Sequence, residues 1–126
     1  MRLLKDGGIF LFELPNEDDE LINLVPEYSK LIHFQDHVNY FNKDTLEFLF
    51  KKCNISKDKF NIWGCQRYGF YNYIEWIRYK IREKVTSDDY VNININPKPR
   101  NVIEELWFKY REENLNCDTL VGTIKN

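Results

Sequence analysis

Few residues of this chain could carry acid–base or binding chemistry, and they lie at the ends of predicted elements. Glu13 ends an apolar run, His37 lies in a segment without a clean period, and Gln66-Arg67-Tyr68 follows a second predicted strand. A histidine with a pKa of about 6.5 can accept a proton at neutral pH, with Asp36 or Glu13 to orient it. An arginine offers a planar donor fork that suits phosphate. This set predicts a site that binds a polar small molecule and can move a proton.

Each candidate also has a structural interpretation. His37 could be a loop histidine bonded to backbone, and Arg67 could be a surface residue with Tyr68 packed beside it. The following aromatic segment could form a stacking platform for a sugar, although residues at helical spacing are more often core; its members are Tyr71, Asn72, Tyr73 and Trp76.

The element that must position Glu13 is the run Ile9–Leu14, in which Glu13 is the only residue that is not apolar. Continuous apolar character predicts a central strand of a largely parallel sheet, covered on both faces. Gly7 and Gly8 predict the tight turn before it, and Pro15 ends its hydrogen-bond ladder. Glu13 would then lie at the carboxyl end of a buried strand, where ligands bind in open α/β sheets.

The remaining elements follow from capping residues and periodicity. Residues 2–5 resemble the last turn of a helix, and Asn16 is predicted to cap a helix that Pro26 interrupts. Asn42 predicts a helix from about Lys43 to Cys53, with Asn54 in the left-handed position after it. Two further strands are predicted, over residues 58–67 and 119–125. Between them we expect a helix that begins at about residue 70, a loop or edge strand over 84–100, and a helix over 101–114. The apolar stripe of the last helix is predicted to hold Ile103, Leu106, Trp107 and Tyr110.

Composition limits the function classes. The chain of 126 residues has 43% hydrophobic and 30% charged residues and a net charge of −2. We expect no nucleic-acid partner, because no strong basic field is present. We expect no membrane association, because no apolar run approaches the ~20 residues of a spanning helix.

The three cysteines, Cys53, Cys65 and Cys117, form no Cys-x-x-Cys pair, so we expect no metal site. We expect their thiols to be reduced and the protein to be cytoplasmic. Cys53 and Cys65 are predicted to be small core residues.

Two segments together resemble class I S-adenosylmethionine-dependent methyltransferases. Residues 3–15, Leu-Leu-Lys-Asp-Gly-Gly-Ile-Phe-Leu-Phe-Glu-Leu-Pro, are similar to the region of that family's fifth strand. Residues 37–49 resemble its segment of a histidine, a phenylalanine, a small polar cap and a helix. Asn54 departs from the family's usual glycine after that helix.

The resemblance implies an α/β chain that corresponds to the C-terminal portion of a Rossmann-like methyltransferase domain over residues 1–126. It implies three strands in the order 5-7-6 with the last one antiparallel, and a helical insertion at about 70–115. The implied acceptor is a small molecule, such as a sugar or nucleotide-sugar of polysaccharide biosynthesis. By the same resemblance His37 is the catalytic candidate. The substrate-binding candidates, chosen for their chemistry at the predicted strand ends, are Glu13, Gln66, Arg67 and Tyr68. The alternative is a non-enzymatic module that binds a carbohydrate or a protein through aromatic residues.

The family's glycine-rich turn is missing from this chain, in which Gly7-Gly8 are the only adjacent glycines. We therefore interpret Met1 as the start of a truncated product, and the residues that hold S-adenosylmethionine stay unassigned. Without a parallel neighbour, strand 9–14 would have an open edge that lacks the usual protection by Lys, Pro or a bulge. We expect a homodimer through that edge.

We predict that the 126-residue chain does not bind S-adenosylmethionine tightly, because the glycine-rich turn and its acidic partner are missing. Titration calorimetry on the purified chain is expected to show no saturable heat at micromolar ligand. A micromolar dissociation constant would overturn this prediction.

Overall fold

The computed structural model describes residues 4–33, 37–80 and 102–126. Within them the chain forms three strands and five α-helices in a mixed α/β arrangement, with one short 3₁₀ turn at Lys57–Lys59. In chain order the elements are β1 Ile9–Pro15, α1 Glu20–Leu24, α2 Pro26–Ile32, α3 Lys43–Lys52, β2 Phe60–Cys65, α4 Phe70–Tyr79, α5 Val102–Glu113 and β3 Thr119–Lys125.

The last strand lies in the middle of the sheet. The strand order is β1-β3-β2, and β3 is antiparallel to both neighbours, with Gly122 opposite Phe12 on one side and Ile62 on the other. The first two strands therefore run parallel to each other. This confirms the predicted strand order and the antiparallel last strand.

The prediction that β1 is a central strand covered on both faces is wrong. The strand pairs only with β3 and lies at the sheet edge, and Ile9 and Leu11 are 59% and 64% exposed. Their apolar character predicted burial, but in the described chain helices cover only the opposite face of this strand. Within residues 4–33, 37–80 and 102–126, β3 is the only strand that pairs with β1.

The core lies between the covered face of the sheet and α3. Leu120 and Ile124 of β3 pack with Leu46 and Phe50 of α3 and are almost fully buried. Phe12 packs against the same cluster. A side chain at Gly122 would overlap the Phe12 ring, so glycine is the residue that lets this ring lie flat on the central strand.

Local signals fixed the ends of α3. The Asn42 side chain accepts from Thr45 N at 2.9 Å and Thr45 Oγ1 accepts from Asn42 N at 2.9 Å, which is a reciprocal cap. Asn54 has φ of 57°, as predicted. The cap of α1 is Asp19, whose carboxylate accepts from Leu21 N, and the prediction of Asn16 as that cap is wrong.

The predicted apolar stripe of α5 is wrong for three of its four members. Ile103, Leu106 and Tyr110 are exposed, whereas Phe108 and Arg111 are buried. Arg111 turns inward because its guanidinium pairs with the buried Asp19 and with Glu20, and the periodicity of α5 does not show these distant partners.

Two of the cysteines and the segment before β1 also differ from the prediction. Cys53 is exposed rather than in the core, and Cys65 is half-buried. Residues 4–8 form a bend and a turn, with Gly7 at φ of 75°, and residues 2 and 3 of the predicted helix end lie outside the described residues. The predicted loop or edge strand over 84–100 lies outside the described residues. Across the described ranges, no helix is long and apolar enough to cross a membrane.

Candidate functional site

The predicted site residues of the sheet meet where β1 and β2 end and β3 begins. Glu13 and Arg67 form an ion pair through Oε2 and Nη2. The side chain of Glu13 is half-exposed, whereas that of Arg67 is only 11% exposed. The pair therefore presents one accessible carboxylate at this end of the sheet.

Asp118, just before β3, organises the segment that follows β2. Its carboxylate accepts from Gln66 Nε2 at 2.6 Å and from the backbone amides of Arg67 at 2.9 Å and Tyr68 at 3.1 Å. It also accepts from Thr119 Oγ1 at 2.7 Å. Because Asp118 holds two consecutive amides, it sets the direction in which the chain leaves β2 and delivers Arg67 to Glu13.

Burial raises the pKa of Asp118 to about 7. The hydrogen bonds from Thr119, Tyr68 and Arg67 lower the pKa, and the nearby charge of Asp19 raises it further. A buried carboxyl group in this cluster therefore changes protonation near neutral pH.

Arg111 of α5 is the centre of a second group of buried polar contacts. Its Nη2 lies 2.7 Å from Asp19 Oδ1, and its Nη1 lies 2.6 Å from Glu20 Oε2. Its Nε donates to Gln66 Oε1 at 3.3 Å. The guanidinium carbon also lies 5.0 Å and 5.5 Å from the ring centroids of Tyr73 and Trp107, which adds cation–π attraction in a desolvated setting.

The carboxylate of Asp19 is buried with Arg111 and Tyr28. Tyr28 Oη donates to Asp19 Oδ2 at 2.7 Å. Burial raises the pKa of Asp19, and the contacts with Tyr28, Arg111 and the Leu21 amide oppose that rise. Burial, followed by the charge of Asp19, raises the pKa of Tyr28, so this phenol stays protonated and donates.

The amide of Gln66 joins these two groups. Its nitrogen donates to Asp118 and to the Tyr68 carbonyl at 3.0 Å, and its oxygen accepts from Arg111. Gln66 is only 4% exposed. All of its strong hydrogen-bonding positions are therefore used inside the protein, which favours a positioning role over direct contact with a ligand.

His37 lies apart from this cluster. It is exposed, and its ring packs edge-on against Tyr40 with centroids 6.2 Å apart. Within the described part of the chain it makes no hydrogen bond or ion pair with the other candidate residues. Asp36, proposed to orient it, lies outside the described residues.

The second histidine has better defined partners. His33 Nε2 lies 3.0 Å from Glu17 Oε2, and Nδ1 lies 3.2 Å from Ser29 Oγ. Its ring packs against Tyr40. The two histidines therefore share one tyrosine next to the carboxyl end of β1.

Sequence reasoning missed the residues that hold the site together, namely Asn16, Asp19, Tyr28, Arg111 and Asp118. Asp19 was assigned to a solvated helix start, because four acidic residues in a row usually face water. The one available signal for Arg111 is its spacing three residues after Phe108, on the buried side of α5. No local pattern marks Asp118, since its partners come from the segment more than 45 residues earlier.

Comparison of the chain with protein-family models, with curated proteins and with solved structures gave no match. Across residues 4–33, 37–80 and 102–126, no group of three or more His, Cys, Asp or Glu side chains could hold a metal ion. The chemistry that the site offers is therefore that of one accessible carboxylate and its arginine partner, while the two histidines lie apart from this pair, against Tyr40.

We predict that Arg111→Met destabilises the protein by about 3–5 kcal/mol, because Asp19 is left as a buried carboxylate without its cation. Urea unfolding measures the change. Lys109→Met is the matched control on the same helix. The loss of its exposed pair with Glu113 should cost less than about 1 kcal/mol. Asp19→Asn added to Arg111→Met should restore part of the loss, and equal effects of the two methionine variants would contradict this account.

We predict that Asp118 makes the free energy of unfolding fall as pH rises from about 4 to about 7. The folded-state pKa of about 7 lies above the unfolded value of about 3.9, so the folded chain binds more protons over this interval. The contribution to the slope is up to about 1.4 kcal/mol per pH unit.

Urea unfolding at several pH values in this window tests it, with Asp118→Asn expected to have the flatter profile. The control is Asp44→Asn in exposed α3 sequence, which should keep the wild-type slope. A profile for Asp118→Asn as steep as that of the wild type would contradict the prediction.

Proposed function

We propose that this chain is the acceptor side of a class I S-adenosylmethionine-dependent methyltransferase that acts on a small molecule such as a sugar or nucleotide-sugar. The observation that carries the proposal is the sheet. Its last strand lies antiparallel between two strands that are parallel to each other, which is the order that the resemblance implies. The sequence resemblance over residues 3–15 and 37–49 supports the same assignment.

The position of the polar residues is the second support. Glu13 lies near the end of β1 and Arg67 follows the end of β2, and the two side chains meet at the carboxyl ends of these strands. In open α/β sheets this is the edge where ligands bind. The carboxylate of Glu13 is suited to accept hydrogen bonds from sugar hydroxyls, while the ion pair with Arg67 fixes its position.

The described residues do not fit S-adenosylmethionine by themselves. Gln66 is hydrogen-bonded to both Asp118 and Arg111, so these polar groups already have partners inside the protein. The chain also lacks the glycine-rich turn against which S-adenosylmethionine would bind. We therefore assign only acceptor binding to this chain and derive no step through the cofactor. In the proposed reaction, His37 is the group that takes a proton from the acceptor.

The two helices α4 and α5 extend the proposed acceptor side. They lie between β2 and β3 in the chain and pack against each other through Phe70, Tyr73 and Trp107. Tyr73 Oη also donates to Glu20 Oε2 at 2.6 Å, which ties α4 to α1. The aromatic segment after β2 is thus mainly a packing element, with Trp76 buried and Tyr71 exposed.

The test is transfer of a labelled methyl group from S-adenosylmethionine to a panel of nucleotide-sugars, with protein expressed from the complete gene that encodes this chain. We predict turnover of at least one acceptor. His37→Asn should lower the rate by about 10²-fold or more, the range of a lost general base. Glu13→Gln should mainly raise the acceptor KM.

The matched control is Glu27→Gln, an exposed carboxylate on α2, which should leave both parameters unchanged. Folded protein that turns over no acceptor would overturn the proposal. Glycan or protein binding without turnover would favour the non-enzymatic alternative.

A further inference from the structure

The hydrogen bonds around Asp118 match a charged carboxylate better than a neutral carboxyl group. Its Oδ2 lies 2.6 Å from Gln66 Nε2, 2.9 Å from Arg67 N and 3.1 Å from Tyr68 N. Its Oδ1 accepts from Thr119 Oγ1 at 2.7 Å and lies 3.1 Å from Arg67 N. Three donors thus meet at one oxygen, whereas a neutral carbonyl oxygen has two lone pairs. The arrangement is that of the ionised form.

A proton on Asp118 would find few acceptors. The backbone amides of Arg67 and Tyr68 and the side-chain nitrogen of Gln66 only donate. Of the partners named above, only the Thr119 hydroxyl could accept the proton, and it would have to turn and lose its own bond to Oδ1. Hydrogen bonds to a charged group are roughly twice as strong as neutral ones. Protonation of Asp118 therefore weakens the bonds that hold residues 66–68.

We propose that Asp118 is a positioning residue of the acceptor site and that it acts through its negative charge. The ionised carboxylate holds the amides of Arg67 and Tyr68, which fixes the point from which the Arg67 side chain reaches Glu13. When Asp118 takes up a proton, this hold weakens and the Glu13–Arg67 pair loses its fixed geometry. The inference rests on the proposed function for the identity of the ligand, but not for the link between the proton and the pair.

Burial places this change near neutral pH. Asp118 is 8% exposed, and burial raises its pKa to about 7 against the opposing hydrogen bonds from Thr119, Tyr68 and Arg67. The nearby charge of Asp19 adds to the rise. Ordinary changes of pH around neutrality are therefore enough to alter the charge on which the pair depends.

The other groups around Asp118 have different titration behaviour. Burial raises the pKa of Cys65 to about 11 and that of Cys117 to about 12, and it raises the pKa of Tyr28 as well, so these three stay neutral at pH 7. Asp19 is buried and pairs with Arg111 at 2.7 Å, and its own titration needs a separate variant. The full set of charged and titratable groups that face Asp118 or its partner Gln66 is Asp19, Tyr28, Cys65, Arg67, Tyr68, Arg111, Glu112 and Cys117.

The proton has opposite effects on the fold and on the site. Protonation of Asp118 removes a buried charge, so it stabilises the folded chain. The same proton weakens the bonds that deliver Arg67 to Glu13. The site is therefore best assembled at a pH at which the fold is less stable. A purely structural role for Asp118 would instead make the order of the site and the stability of the fold change in the same direction.

The first experiment is two-dimensional NMR of the nitrogen-15-labelled 126-residue chain across the neutral pH range. The backbone amides of Arg67 and Tyr68 and the side-chain amide of Gln66 should shift together, with one midpoint near pH 7. Below that midpoint the side-chain N–H groups of Arg67 should exchange faster with water, because the pair with Glu13 loosens. Asp118→Asn should abolish the common midpoint and leave these N–H groups in fast exchange at every pH.

A second variant covers the case in which Asp118→Asn does not fold. Thr119→Val keeps the branched shape at this position and removes the hydroxyl that donates to the carboxylate. The midpoint should rise by about one pH unit, because a hydrogen bond to the charged form is lost. Thr123→Val is the matched control on the same strand and should leave the midpoint unchanged. Asp19→Asn should lower the midpoint without abolishing it, since it removes a like charge.

The second experiment measures the acceptor KM against pH, with protein expressed from the complete gene and an acceptor that the methyl-transfer assay identifies. KM should rise below about pH 7, by up to about tenfold per pH unit, the slope of a single proton. Thr119→Val should move this rise upward in parallel with the NMR midpoint. Asp118→Asn should raise KM and remove its dependence on pH in this range.

The proposal would be overturned if the amides of Arg67 and Tyr68 showed no common midpoint, or if that midpoint survived Asp118→Asn. An unchanged midpoint in Thr119→Val would also overturn it. A midpoint by NMR with a KM that does not depend on pH would overturn the link to acceptor binding. Failure to methylate any acceptor would count against the proposed function alone, because the NMR measurements use the chain without ligand.

Discussion

The burial of the Arg111 guanidinium is the constraint on which the polar end of this structure depends. A cation that is 1% exposed has lost nearly all of its hydration, and only close acidic partners with good geometry can offset that cost. Asp19 and Glu20 supply the charge, and Gln66 and two aromatic rings fill the remaining directions. Because these partners come from four parts of the chain, one side chain fixes how the helices meet the strand ends.

Asp118 continues this constraint into the candidate site. It shares Gln66 with Arg111 and holds the backbone of Arg67 and Tyr68. The position of the accessible Glu13–Arg67 pair therefore rests on buried groups that do not reach solvent. This division is common in binding sites, since a ligand group is held accurately only when its supporting residues are themselves fixed by packing and hydrogen bonds.

The two ends of the sheet differ in how completely their polar groups are satisfied. At the carboxyl end of β1, backbone and side chains bond several neighbouring segments, as Asn16 does by donating to the carbonyls of Leu115 and Cys117 at 2.7 Å and 2.8 Å. Toward the start of β1, apolar side chains and outward backbone groups face solvent. Within the described residues, the same strand therefore carries a tightly bonded end and an edge without a strand partner.

Local patterns in the sequence determined the elements whose cause is local. The Asn42 cap, the left-handed Asn54, the Gly7 turn and the final strand over residues 119–125 follow from short-range steric and hydrogen-bonding preferences, and all four are confirmed. The strand order was also predicted, although from a family resemblance rather than from physics. Glu13 and Arg67 were singled out from their places at strand ends, and they do meet.

The tertiary structure decided which apolar residues are buried and which charged residues are not exposed. Four residues of types that are usually buried face solvent here, namely Ile9, Leu11, Ile103 and Leu106. Burial requires a neighbouring element, and a periodic pattern does not show whether one is present. Conversely, three residues of types that usually lie on the surface are buried, namely Asp19, Arg111 and Asp118. Their desolvation is offset by partners as many as 92 positions away in the chain, and such distant pairing leaves no signal in the sequence around any one of them.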